Sequence, residues 1–133
     1  MVYIFYTSHA SKEGKFKFPK GYLNSNLLIK NIKKIDYGKL IIIQESCYAE
    51  KLVENLKGID NCITIAAGGK KDITNAGILS YMLVKYNDKN PNTPIKKLIG
   101  DINGELSKIG QSKFKLFCSN ENYYEEPLIP NNY

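Results

Sequence analysis

The sequence contains no arginine and no tryptophan, one histidine and only three cysteines. Each shortage excludes something. Without arginine, the net charge of +6 comes from lysine alone. Arginine supplies the bidentate contacts to guanine and phosphate that sequence-specific binders favour, whereas scattered lysines give salt-sensitive, non-specific attraction. Nucleic acid is therefore not an expected partner, although lysine and aromatic residues alternate at Lys15-Phe16-Lys17-Phe18. A single histidine and the lack of any CxxC leave no ligand set for a structural zinc, and nothing in the sequence calls for a cofactor. Cys47, Cys62 and Cys118 form an odd, widely spaced set, which argues against a disulfide framework and for a reducing compartment. Long apolar runs are missing too: residues 2–6 and 40–43 fall far short of the roughly 20 needed to cross a bilayer. Met1 leads straight into a strand-like run without the features of a secretory signal. A cytoplasmic protein without a membrane span is expected.

The 133 residues suffice for one domain, with a core over residues 1–120 and a tail over 121–133 that reads as exposed. Residues 2–7 (VYIFYT) form a continuous β-branched and aromatic run, as a buried parallel strand does. Residues 15–18 and 21–23, parted by Pro19-Lys20, read as a small hairpin. Asn24 or Ser25 caps a helix with apolar positions Leu27, Leu28, Ile32 and Ile35. Residues 40–43 make an aliphatic strand, a helix follows over about 49–56, and residues 62–67 make a third strand closed by Gly68-Gly69. Helices are predicted over 75–86 and, from a Thr93 cap with Pro94 at the first helical position, over about 95–109; residues 114–118 form the last strand. This alternation predicts an α/β fold, a short and mostly parallel sheet of about four strands flanked by helices.

Ligands in such sheets bind at the carboxyl ends of the strands. His9 follows the first long strand, and Glu45, Ser46 and Cys47 close the second. A thiol nucleophile needs a base or an imidazolium within reach, so this pair of strand ends offers a candidate dyad. Taken singly, His9 reads first as a surface or cap histidine at a strand end and Cys47 first as a small buried hydrophobe; it is the two together that make the dyad an equal alternative. Cys62 and Cys118 lie inside apolar strands and read as core.

Residues 2–11 (VYIFYTSHAS) and 40–52 (LIIIQESCYAEKL) resemble the strands ending in the histidine and the nucleophilic cysteine of the caspase-like peptidase clan. The likeness is nearest to legumain-type asparaginyl endopeptidases and continues through residues 16–24 and 63–67. It implies a cysteine endopeptidase in which His9 and Cys47 are catalytic and the backbone N–H groups at Ala10 and Cys47 form the oxyanion hole. By the same likeness Glu45, Ser46 and Asp72 border the substrate site, and Glu45 would favour cleavage after Asn or a basic residue. The other reading of Glu45 is a hydrogen-bonded carboxylate at a strand end. Departures from the family pattern point to a second function, a non-catalytic binding or scaffold module. Ala10 replaces a glycine, Tyr48-Ala49 replaces a small pair, and two strands and a helix that precede the family's histidine strand have no counterpart here. With those strands absent, residues 2–6 would form an apolar edge, covered by a second copy in a homodimer, by a partner chain, or by Leu128-Ile129 of the same chain.

Overall fold

The computed structural model describes residues 1–69, 75 and 77–129. The apolar runs become strands: β1 (Val2–Thr7), β4 (Leu40–Glu45), β5 (Cys62–Ala66) and β6 (Lys115–Cys118) form one sheet in the order β1-β4-β5-β6. Its first three strands are parallel, and β6 runs antiparallel to β5. The short strands β2 (Phe16–Phe18) and β3 (Gly21–Leu23) form a separate antiparallel hairpin. The fold is thus α/β with a four-stranded, mostly parallel sheet flanked by helices.

Side-chain alternation divides the sheet into two faces. On one, Ile41, Ile63 and Ile65 pack against Leu79, Met82 and Leu83 of α3 (Ile78–Lys89) and Leu98, Ile99 and Ile102 of α4 (Ile95–Lys108). On the other, Leu40, Ile42 and Cys62 meet Ile32 of α1 (Ser25–Ile32) together with Leu56 and Ile59, which follow α2 (Ala49–Asn55). Each fully buried isoleucine contributes about 1.5–3 kcal/mol of hydrophobic stabilisation, so the central strands hold the two layers together. Glu45, Ser46 and the turn to α2 are thereby fixed in place.

Several sequence expectations shift. β1 lies at the sheet edge, as the family likeness implied for residues 2–6, but where its composition suggested a buried strand it alternates half-buried with exposed residues; Tyr3 and Phe5 are about half exposed. Helix α1 stops at Ile32, leaving Ile35 outside it and exposed. Pro94 rather than Thr93 caps α4, because its ψ of 138° is extended and Ile95 is the first helical residue. Helix α3 starts at Ile78 behind Gly77, whose φ of 87° suits a residue without a Cβ.

The segment read as an exposed tail is docked over residues 121–129. A 3₁₀ turn (Glu121–Glu125) packs against α4, the Ile95 N–H donates to Glu126 O at 2.8 Å, and Leu128 is buried. Lys39 holds this segment through an ion pair with Glu126 (2.5 Å) and lies over the Tyr123 ring (4.7 Å). Leu128 and Ile129 share an apolar groove of about 300 Å³ with Tyr3, Phe5 and Val84.

Candidate active site

The register of β1 on β4 decides which strand-end residues meet. Thr7 lies opposite Glu45, so His9 and Cys47 each follow two residues after paired strand ends at the sheet's carboxyl edge. Adjacent strands are about 4.8 Å apart, and both residues have the parity of the α3/α4 face. Beyond Thr7 the Ser8 N–H still donates to Glu45 O at 3.4 Å, after which the two chains part. His9 is exposed and Cys47 half-buried. Among the described residues the imidazole and the thiol share no hydrogen bond, and no third side chain orients the imidazole. Catalytic hydrogen bonds are often loose before substrate arrives.

The loop carrying His9 is anchored by a residue that the sequence reading passed over. The Tyr6 hydroxyl lies 2.6 Å from His9 O and 2.8 Å from Lys17 O and can donate to either, while it accepts the Lys17 N–H at 2.8 Å. Its ring meets Phe16 edge-on at 4.8 Å. The Lys17 N–H also donates to His9 O at 3.0 Å, and Ala10 bridges antiparallel to Phe16. The one available signal was parity: Tyr6, an even residue of β1, faces the hairpin.

Neither the Ala10 nor the Cys47 N–H is taken up by a hydrogen bond among the described residues. Ala10 does not have a positive φ, so the strain expected from a Cβ at this position is absent. Strain sits instead at Tyr48, directly after the candidate nucleophile. Its φ of 57° is left-handed, a conformation that costs an ordinary side chain roughly 1–2 kcal/mol. This bend lets the chain turn from β4 into α2 and keeps Cys47 at the rim.

The structure assigns Glu45 to the carboxylate reading. It is 3% exposed, and its Oε1 accepts the N–H groups of Leu79 (2.8 Å) and Ser80 (3.4 Å), while Oε2 accepts the Ser80 hydroxyl (2.8 Å). Glu45 is thus the cap of α3, whose Gly77 cap offers no side chain. Direct contact with substrate, expected from the family likeness, is blocked by this burial. Ser46 is also buried; its Oγ accepts from Gln44 Nε2 at 2.8 Å and donates to Cys47 O at 3.2 Å, so it braces the turn from inside. Gln44 Oε1 is buried without a hydrogen-bond partner among the described residues. Asp72 lies outside the described residues.

Cys62 and Cys118 are buried core thiols. Burial pushes both above the ordinary range, Cys118 up to about 12. They are poor nucleophiles at neutral pH. Among the described residues no three His, Cys, Asp or Glu side chains gather as a metal site, and no helix is long and apolar enough to cross a membrane. No protein-family model matches this chain, and no curated protein matches it at a significant level.

Proposed function

We propose that the chain is a cysteine endopeptidase of caspase-like type, with Cys47 as nucleophile and His9 as its acid–base partner. The observation that supports this reading is the Thr7–Glu45 register, which pairs at the carboxyl edge the two strand ends that precede His9 and Cys47. In the reaction, the Cys47 sulfur attacks the scissile carbonyl carbon, and the oxyanion is met by the Ala10 and Cys47 N–H groups. The C–N bond then breaks as protonated His9 gives its proton to the departing amine. Water, deprotonated by His9, hydrolyses the thioester and returns the free thiol. Cleavage after Asn or a basic residue rested on Glu45; with that carboxylate buried against α3, the proposal is confined to peptide-bond cleavage.

The test is covalent labelling by peptidyl acyloxymethylketones, read by mass spectrometry. Labelling at Cys47 that is lost in Cys47→Ala and strongly slowed in His9→Ala is the expected result. A second reading, a non-catalytic binding module, is favoured because no group among the described residues orients the His9 ring. Labelling indifferent to His9→Ala, with no turnover of a peptide library, would establish that reading instead.

A further inference from the structure

The hairpin forms its own small sheet, which the loop carrying His9 joins. Residues 9–11 run antiparallel to 15–17 through the Ala10–Phe16 bridge, and β2 in turn pairs with β3. Phe16 points inward, 2% exposed against Tyr6, and Ala10 shares its side. Alternation therefore turns His9 and Lys17 to the opposite side as cross-strand neighbours, and the Lys17–Tyr22 pairing adds Tyr22 to that same side. His9, Lys17 and Tyr22 then form a row across three neighbouring segments.

The outer half of this row is exposed: Tyr22 is 57% exposed, and Lys17 and Lys20 at the turn are exposed as well. Among the described residues neither the Lys17 ammonium nor the Tyr22 hydroxyl has a hydrogen-bond or ion-pair partner. The acids of this edge are already committed. Glu45 caps α3, Glu50 lies 3.9 Å from Lys115, and Glu13 is held below its ordinary range first by a hydrogen bond from Ser11, with Lys15 and Lys51 adding attraction. Among the described residues, Lys17 and Tyr22 thus keep their donors unanswered by any of these acids.

We infer that Lys17 and Tyr22 form a substrate subsite beside the dyad that takes an acidic side chain of a bound peptide. This rests on the peptidase reading of the same edge. Lys17 supplies the charge, and Tyr22 supplies a hydroxyl donor and a flat apolar surface for the peptide's stem. A peptide is favoured over nucleic acid because the row includes the His9 imidazole, and because the chain has no arginine to clamp phosphates.

The experiment measures anisotropy of fluorescein-labelled hexapeptides on full-length Cys47→Ala, which binds without turnover. The acidic residue is moved through each position, with neutral and lysine analogues beside it. One acidic residue should tighten binding about fivefold at low salt, the most a single exposed ion pair gives. Lys17→Glu should reverse the preference toward the lysine peptide, Tyr22→Ala should weaken the acidic peptide, and Lys108→Glu on α4 should do neither. Equal binding of acidic and neutral peptides, or equal effects of Lys17→Glu and Lys108→Glu, overturns the subsite. A single-stranded oligonucleotide that binds through Lys17 while acidic peptides do not overturns it in favour of nucleic acid. Labelling of Cys47 in the wild-type chain separates the two levels. If Cys47 is labelled without acidic preference, only the subsite fails; if no probe labels it, the peptidase reading fails while the binding series still decides the subsite.

Discussion

Replacing Glu45 with alanine separates the two roles its position allows. The carboxylate accepts two backbone N–H groups and one hydroxyl from the start of α3 at 3% exposure. Hydrogen bonds to a charged group contribute about 1.5–3 kcal/mol each, are not additive, and leave a buried donor unsatisfied when the acceptor is removed. The Leu79 N–H would be such a donor, since Leu79 is fully buried. Counting that bond in full and the Ser80 pair in part, Glu45→Ala should destabilise the chain by about 3–4 kcal/mol, a large share of the 5–15 kcal/mol typical of a domain. Glu45→Gln keeps one oxygen for the Leu79 N–H and should cost about 1–2 kcal/mol. With no tryptophan in the chain, urea unfolding is followed by circular dichroism at equal protein concentration. A Glu45→Ala protein within about 0.5 kcal/mol of wild type, the range of an ordinary surface change, would refute the capping role. So would a normally stable Glu45→Gln that loses basic-P1 substrates alone.

Four further outcomes are expected. Tyr48→Gly relieves the left-handed strain of roughly 1–2 kcal/mol but loosens the unfolded chain by up to about 1 kcal/mol, so the urea midpoint should rise slightly; a drop would place the Tyr48 side chain in a stabilising contact. Tyr6→Phe keeps the ring against Phe16 and removes the hydroxyl from His9 O and Lys17, so stability should fall by about 1 kcal/mol and Cys47 labelling should slow more than in a Phe18→Leu control. The Cys118 thiol ionises from pH 9 in the unfolded chain but only near about 12 when folded. Its stability contribution is therefore complete below pH 9 and declines as pH rises toward 12, and Cys118→Ala should flatten that part of the stability–pH curve. Lys39→Met should speed amide hydrogen exchange across residues 121–128 by removing the ion pair to Glu126 and the contact over Tyr123; unchanged exchange would show that Leu128 and the Ile95–Glu126 bond hold the segment by themselves.

Much of the fold was legible from local pattern. Residues 40–43 are aliphatic without interruption and 62–66 are interrupted only by the small Cys62 and Thr64 because both faces of those strands are covered, and the apolar spacing of α4 places Ile95, Leu98, Ile99, Ile102 and Leu106 on one buried stripe. Strand order and parity then brought His9 and Cys47 to one edge, since a parallel register is all that juxtaposition needs. The edge position of β1 was expected from the family likeness alone; its composition, as apolar as that of β4, could not show it, because composition records what a strand can bury and not which neighbours cover it. The sequence could not show that the Glu45 carboxylate turns to α3. A strand-end acid has the same local signature whether it meets substrate or a helix 34 residues away, and only the packing of α3 on that face decides between them. The docking of residues 121–129 through Glu126 and Leu128, and the hold of Tyr6 on the His9 loop, depend likewise on partners distant in the chain or across a turn, which become neighbours only once the layers have closed.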